Sequence, residues 1–259
     1  MSAAQLRLFQ LVSPALPVGA FSYSEGLEVL VQAGRIVTPE ALETWLRAEL
    51  ERGAIGVEAA ALGPLAAALV LARSAAAAGQ EAEAGAALAE LAELDGWLLA
   101  ARESAELRAQ QRQMGRSLLR LLADLGWPLP TGAPAASAPA PPAAAGGTPP
   151  AGSPPRNGAD SLAWPTAWAW AGVCLDLPPL ALVEAYLYGW VANQISAAVR
   201  LVPLGPTQGQ RLQLALAPLL AERANALVAS DPGRLWNGGV GAGLAQLSHR
   251  ELYSRLFRS

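Results

Sequence analysis

The side chains that most often do chemistry are scarce in this sequence. It contains one His, His249, one Cys, Cys174, and no Lys, so all 18 of its basic residues are Arg. One His and one Cys cannot complete a closed Cys/His metal site within a single chain. Without Lys there is no P-loop, whose Lys reaches the nucleotide phosphates, and no Schiff-base catalysis. We therefore predict no metal site, no cofactor and no nucleotide hydrolysis in this chain.

Two short motifs look like catalytic or nucleotide-binding loops, but each lacks a residue that the chemistry needs. The segment Ser22-Tyr23-Ser24-Glu25-Gly26 has no first Gly for a nucleophile elbow, and no strand is predicted before it. The run Gly238–Gly243 has Leu244 where a dinucleotide-binding loop requires its last Gly. We interpret that run as a flexible loop.

Carboxylates form the next candidate group. They cluster at Glu81, Glu83, Glu90, Glu93 and Asp95, and such a cluster could bind a hard metal or do acid–base work. No imidazole lies nearby in sequence, and Glu90 and Glu93 share one helix face. A solvated face is the favoured interpretation, and a helical enzyme that uses carboxylates is the alternative.

Basic residues are concentrated on one predicted helix. Arg108, Arg112, Arg116 and Arg120 recur every four residues, which places them in one strip of like charge. The strip could simply face solvent. It could also dock an acidic partner, since Arg favours bidentate carboxylate contacts at interfaces, so Arg108, Arg112 and Arg116 are candidate partner-binding residues.

The last ten residues form a second concentration of Arg and aromatic side chains, with Tyr253, Arg255, Leu256, Phe257 and Arg258. Chain termini are usually poorly ordered unless something holds them, and aromatic and Arg residues are enriched in binding hot spots. Either a partner or this chain itself could order the segment, and the pattern does not separate the two.

Composition limits the class of protein. The formal net charge is −3 over 259 residues with a pI of about 5.3, which argues against a nucleic-acid binder. The uncharged stretch Ala59–Ala72 is 14 residues long, shorter than the roughly 20 that a membrane span needs. A single Cys fits a reducing compartment. We expect a soluble cytoplasmic protein with no membrane segment.

Helix-forming residues dominate and no alternating strand is found, which predicts an all-α fold, a single helical-bundle-like domain of about eight to ten helices. Ten of the 21 prolines lie in Pro128–Pro155, so residues 128–160 are predicted to be a disordered Pro/Ala/Gly-rich insertion. Residues 1–127 and 161–259 are the N- and C-terminal parts of the same domain. Helices are predicted at about Ala4–Val12, Ser22 or Ser24 to Ala33, Thr38–Arg52, Ile55–Ala78 with a kink or break at Gly63-Pro64, Glu83–Leu125 with a break near Asp95-Gly96, Trp164–Leu175, Pro178–Leu201, Pro206–Ser230 and Leu244–Phe257.

Four stretches, in order, resemble the UreF-type urease accessory proteins. They are LVSPALPVGAFSYSEGLE (Leu11–Glu28), RESAELRAQQRQMGRSLL (Arg102–Leu119), AVRLVPLGPTQGQRL (Ala198–Leu212) and HRELYSRLFRS (His249–Ser259). The resemblance covers nearly the whole chain apart from the Pro-rich insertion. That insertion and the Gly-rich approach to the tail depart from the family pattern.

The resemblance implies an all-helical protein, usually a homodimer, without catalytic activity. Such proteins act with a UreD/UreH-type scaffold protein and a UreG-type GTPase to deliver nickel to apo-urease, so nickel and GTP would be handled by partners. Nickel binding by this chain itself, for instance at a His249 shared in a dimer, is the alternative of a direct metallochaperone. The family's partner-binding motifs map onto Ser22, Tyr23, Glu25 and Gly26 at the N-terminal end, and onto Tyr253, Arg255, Leu256, Phe257 and Ser259 in the tail.

Overall fold

Ten α-helices and no strand are found in residues 3–133 and 162–258, the part of the chain that the computed structural model describes. The predicted all-α class is therefore confirmed. The helices are α1 (Ala3–Leu11), α2 (Leu27–Gln32), α3 (Pro39–Arg52), α4 (Ala54–Ala77), α5 (Glu81–Ala100), α6 (Ala105–Asp124), α7 (Trp164–Cys174), α8 (Pro179–Leu201), α9 (Pro206–Leu227) and α10 (Val240–Ser248).

Most of the predicted insertion, residues 134–161, lies outside the described residues, as does Ser259. Residues 128–133, at the beginning of the insertion, form an irregular segment that ends in a turn. Leu129 and Ala133 pack against the hydrophobic core from that segment.

Local sequence signals explain where several helices begin and end. The Thr38 hydroxyl accepts a hydrogen bond from the Ala41 N–H at 3.2 Å, and Pro39 occupies the first turn of α3. Ser104 caps α6 in the same way, at 3.0 Å from the Leu107 nitrogen. Gly34 has a φ of +68°, the left-handed conformation predicted for it after α2.

Helix α4 is the centre of the fold, because it contacts α3, α5, α7, α8 and α9. By length and composition alone it could cross a membrane, but 61% of its most apolar 18-residue window is buried inside this fold. Helix α4 runs through Pro64 without interruption, so of the predicted kink or break, the break does not occur. Close packing on several sides holds the helix together across the missing hydrogen bond.

Two other boundary predictions are wrong for reasons that lie elsewhere in the chain. The long helical region breaks at residues 101–104 and not at Asp95-Gly96, because Asp95 is buried inside α5 and hydrogen-bonded to the chain near α7. The final helix covers Val240–Ser248 and is followed by a short 3₁₀ turn at His249–Glu251. It therefore begins inside the Gly-rich run and ends well before Phe257.

The glycines of that run permit close contact rather than flexibility. A Cβ added at Gly239 would lie 2.9 Å from Glu49 Oε2, and one at Gly243 would lie 3.0 Å from the Glu103 side chain. The Gly238 N–H donates a 2.6 Å hydrogen bond to the Arg52 carbonyl. The start of α10 thus packs against the end of α3 and the residue before Ser104, and the prediction of a loop is wrong for residues 240–243, which are helical.

Gly115 makes a similar close contact between α6 and the chain entering α7. A Cβ at this position would meet the Leu162 carbonyl oxygen and lie 2.9 Å from the Ala163 carbonyl carbon.

We predict that Gly115→Ala lowers the free energy of unfolding by about 1–3 kcal/mol, the usual cost of overpacking. Gly96→Ala is the matched control, because Gly96 is also helical but has no atom within 4 Å of an added Cβ. Urea denaturation should show the control unchanged or stabilised by roughly 0.5–1 kcal/mol, and equal effects of the two variants would contradict the packing argument.

Candidate functional site

The structure brings the N-terminal motif and the C-terminal tail together at Glu28. This carboxylate is 1% exposed. It accepts hydrogen bonds from the backbone N–H groups of Leu256 at 2.6 Å and Phe257 at 3.1 Å. The fully buried His249 places its Nε2 3.2 Å from the same carboxylate. A buried carboxylate requires such partners, so Glu28 anchors the tail to the fold.

Further contacts reinforce this anchor. The Arg258 N–H donates to the Ser22 carbonyl at 2.9 Å, and Gln32 Nε2 donates to the Ser254 carbonyl at 3.1 Å. The Phe257 ring is buried, with the Arg200 guanidinium 5.5 Å from its centroid, a cation–π arrangement. We call Ser22, Glu28, His249, Phe257 and Arg258 the tail anchor.

Tyr23 is part of the same region. Its side chain is 3% exposed, and burial raises the pKa of its phenol, an effect that the hydrogen bond and charge of Arg258 partly offset. Because a phenol with a raised pKa stays neutral near neutral pH, Tyr23 acts here as a buried hydrogen-bonding group.

Other tail side chains remain outside. Tyr253 is fully exposed, and Arg255 and Leu256 are exposed as well. Helix α10, which leads directly into the tail, has three exposed apolar residues on one face, at positions four and three residues apart. Trp236, just before α10, is exposed too. We call the exposed residues before, on and after α10 the tail surface: Trp236, Val240, Leu244, Leu247, Tyr253, Arg255 and Leu256.

Glu25 is held in an unusual backbone conformation close to the tail anchor. Its φ is +48°, in the left-handed region that non-glycine residues rarely adopt. Its carboxylate accepts hydrogen bonds from Gln110 Nε2 at 2.7 Å and from Trp190 Nε1 at 3.1 Å. The following Gly26 has a φ of +87°, and a Cβ there would lie 2.9 Å from the Ala242 carbonyl oxygen. The Glu25-Gly26 turn is thus fitted to α6, α8 and α10.

A buried ion pair lies beneath this turn. Glu58 of α4 and Arg102, which precedes α6, are both about 5% exposed and form a salt bridge. Arg102 Nε donates to Glu58 at 2.8 Å, the Tyr186 hydroxyl donates at 2.7 Å, and Gln111 Nε2 donates at 3.0 Å. Burial raises the pKa of the Glu58 carboxyl, and the charge of Arg102 opposes this effect.

Sequence reasoning missed both Glu28 and Glu58. A signal for Glu58 was present, since it is the single charged residue between Arg52 and Arg73 in the most apolar helix of the chain. Buried charges in such helices are almost always paired. Glu28 gave no comparable signal, because its partners lie more than 200 residues away.

A cavity of about 200 Å³ lies next to these groups. Its walls are mostly apolar and come from the loop after α1 and from α6, α7 and α8. Glu25, Glu58, Gln111 and Tyr186 contribute polar atoms to it.

The predicted Arg strip divides into half-buried and exposed positions. Arg108, Arg112 and Arg116 are half-buried, and Arg120 is exposed. Arg108 Nη1 donates to the Arg102 carbonyl at 2.6 Å. Burial raises the pKa of Asp95, and the charge of Arg112 partly opposes this effect. Arg108, Arg112 and Arg116 therefore already interact with their own fold, and a role of the strip in partner binding stays a prediction.

The predicted carboxylate cluster is not one site. Glu90 and Glu93 are exposed, as expected. Asp95 is buried and accepts hydrogen bonds from the Ala163 N–H at 2.8 Å and from the Thr166 hydroxyl at 2.5 Å, so it caps the beginning of α7. Within residues 3–133 and 162–258, no three His, Cys, Asp or Glu side chains are placed to hold one metal ion.

Comparison with known proteins decides the family. The family model described as UreF matches residues 36–217. The chain belongs to the UreF family. Relatives named urease accessory protein UreF include that of Alkalilimnicola ehrlichii, 38% identical over 99% of this chain and 96% of the relative. That of a Synechocystis species is 38% identical over 99% of this chain and 98% of the relative. That of an Azoarcus species is 40% identical over 98% of this chain and 95% of the relative.

The resemblance inferred from four motifs is thereby confirmed. In this UreF-family chain, the first and last of those motifs meet at the tail anchor. The second motif supplies Arg102 and Gln111, which donate hydrogen bonds to Glu58, and Gln110, which donates one to Glu25. Ser22, Tyr23 and Phe257 contribute to the tail anchor or contact it, whereas Tyr253, Arg255 and Leu256 are exposed on the tail surface. Ser259 lies outside the described residues.

The tail anchor makes a direct prediction about local opening. Glu28→Ala removes the acceptor for two backbone N–H groups, and a hydrogen bond to a charged group contributes roughly 1.5–3 kcal/mol. Amide exchange at Leu256 and Phe257 should accelerate about ten- to hundredfold. Glu51→Ala, at an exposed position of α3, is the control. Unchanged exchange at both amides in Glu28→Ala would show that the tail is held by other contacts.

The buried ion pair predicts a large loss of stability. Arg102→Met leaves the Glu58 carboxylate buried without its cation, and breaking such a pair costs about 3–5 kcal/mol. Arg47→Met removes the half-exposed pair with Glu43, which has a 2.7 Å contact and should cost no more than about 1 kcal/mol. Chemical denaturation at pH 7 compares the two, and a similar small loss in both variants would argue against a buried, charged Arg102–Glu58 pair.

Proposed function

We propose that this chain is a non-enzymatic urease maturation factor that bridges a UreD/UreH-type scaffold protein and a UreG-type GTPase while nickel is delivered to apo-urease. The observation that carries the proposal is the tail. Its backbone is fastened to Glu28, while Tyr253, Arg255 and Leu256 project into solvent. Family membership supplies the biological setting.

The exposed tail surface has the composition of a binding site. Aromatic and Arg residues contribute most of the energy in typical interfaces, and exposed apolar groups of this kind mark interaction sites. Trp236 and Tyr253 are 86% and 105% exposed. Because their backbone is already ordered, a partner that binds here does not have to supply the entropy of ordering the tail.

A direct metallochaperone is less well supported. Burial raises the pKa of the Cys174 thiol to about 12, so the thiolate that binds soft metals is disfavoured at neutral pH. The Nε2 of His249 is engaged with Glu28. We propose that nickel and GTP are bound by the partner proteins and that this chain requires no cofactor of its own.

A carboxylate-based enzyme also lacks support. Asp95 caps a helix and Glu58 is paired with Arg102, so two of the buried carboxylates have structural roles. We propose that the chain acts in the cytoplasm as a homodimer, as the family resemblance implies.

The proposal predicts which substitutions weaken partner capture. Arg255→Ala and Leu256→Ala should each reduce co-purification with the scaffold or the GTPase by about tenfold, the effect of losing one hot-spot residue. Both side chains are exposed, so the unfolding midpoint should not change. Arg211→Ala and Leu214→Ala, at exposed positions of α9, are matched controls. Nickel-dependent activation of apo-urease in the reconstituted system should fall in parallel.

Normal capture of both partners by Arg255→Ala and Leu256→Ala would remove the tail surface from the proposal. Urease activation without any association of this chain with the scaffold or the GTPase would overturn the bridging role itself.

A further inference from the structure

A groove between α3 and the start of α10 leads into a small polar cavity. The groove has a volume of about 290 Å³, with Trp45 and Glu49 in its walls. The cavity beyond has a volume of about 30 Å³ and is lined by Glu25, Glu103 and Gln246, among others. Trp45 and Glu49 belong to both walls, so the two spaces adjoin.

Carboxylates are the more numerous charged groups around the groove and the cavity. Glu25, Glu49 and Glu103 line the cavity together with Arg102, and Arg52 lines the groove, so three carboxylates face two guanidinium groups. Arg102 is already bound to Glu58 in the core. Burial and the neighbouring carboxylates raise the pKa of Glu49 to about 7, although both guanidinium groups act in the opposite direction.

Gln246 gives independent support for a missing ligand. Its side chain lines the cavity and is only 1% exposed. Among the residues that the structure describes, none donates a hydrogen bond to Gln246 Oε1. A buried acceptor without a donor is costly, and native proteins rarely leave one. Glu25 already accepts hydrogen bonds from Gln110 and Trp190, and Glu103 accepts one from Asn237. Of these three acceptors, the Gln246 oxygen is therefore the one that lacks a donor among the described residues.

The size of the cavity selects the donor. A cavity of about 30 Å³ has room for a water-sized group, and an ammonium is a more compact group than a planar guanidinium. The wider groove can take an aliphatic stem, and the indole rings of Trp45 and Trp190, whose centroids are 6.1 Å apart, offer aromatic surface to a cation.

We propose that this groove and cavity bind the side chain of a lysine from a partner protein, with its ammonium group among Glu25, Glu49, Glu103 and Gln246. The lysine cannot come from this chain or from a second copy of it, because the sequence contains no Lys. The identity of the partner rests on the proposed function, since the partner is a protein of the same assembly. We call the groove and cavity the lysine pocket.

Cross-linking can test the lysine pocket in the intact complex. A carbodiimide couples a carboxylate to a primary amine, and this chain has no Lys to react within itself. Mass spectrometry of the co-purified complex should find Glu49 or Glu103 joined to a lysine of the partner. A complex that co-purifies but has partner lysines joined only to other carboxylates would overturn the lysine pocket and leave the bridging function intact.

A peptide titration tests the pocket without any partner protein. A Gly/Ser peptide with one Lys should shift the Trp45 indole N–H resonance, assigned with Trp45→Phe, and the same peptide with acetylated Lys should not. An equal response to an Arg peptide, or a stronger response to Mg²⁺ alone, would overturn the choice of an ammonium ligand. This arm is independent of whether the assembly forms.

Charge variants give the predicted magnitude. At pH 8, Glu49→Gln should weaken binding of the Lys peptide about three- to tenfold, as expected for one partly exposed ion pair. Glu51→Gln, on the same helix but exposed to solvent, should bind normally. Affinity of the unaltered protein should fall between pH 8 and pH 6, because Glu49 gains a proton and loses its charge in this interval. The same fall in Glu49→Gln would show that Glu49 is not the group responsible.

Discussion

The candidate site depends on one buried carboxylate, that of Glu28. A carboxylate removed from water must find donors inside the protein, and those of Glu28 come from the tail, 228 and 229 residues along the chain. Two successive backbone N–H groups bind the same side chain, which fixes the path of the tail. As a result Phe257 enters the core while the adjacent Leu256 remains exposed. One polar requirement therefore determines both the internal and the external face of the tail.

The Glu58–Arg102 pair extends the same principle into the core. Its hydrogen bonds join α4, α6 and α8 through Gln111 and Tyr186. Arg102 is followed directly by Glu103, so the ion pair that holds the start of α6 also positions a wall of the lysine pocket. Glycines 239 and 243 then allow α10 to approach that wall. The Glu58–Arg102 pair thus positions a wall of the lysine pocket, and α10, which packs against that wall, leads into the tail.

Sequence reasoning succeeded where the deciding signal is local. Thr38-Pro39 predicted the start of α3, and Pro206 predicted the start of α9, because caps and proline constraints act within one turn. It failed at Gly238–Gly243 and at the end of α10, where the outcome depends on groups far away in sequence. A glycine-rich segment looks the same whether it is flexible or closely packed, and only the positions of Glu49 and Glu103 distinguish the two. Among the candidate residues, Tyr253 and Arg255 were proposed from composition and are exposed in the structure, whereas Glu28 was not proposed.

The absence of Lys from the sequence bears both on the buried ion pair of the core and on the proposed lysine pocket. Among the described residues, Arg102 is the buried arginine of the core, and its planar group binds Glu58 through more than one nitrogen. An ammonium group would be the more compact ligand for a cavity as small as that beside Glu49, and the chain cannot supply one from a side chain. A pocket that its own chain, or a second copy of it, cannot fill with lysine is available for a different protein. The composition from which we predicted no metal site and no nucleotide hydrolysis thus also favours binding of a different protein over self-association in the proposed lysine pocket.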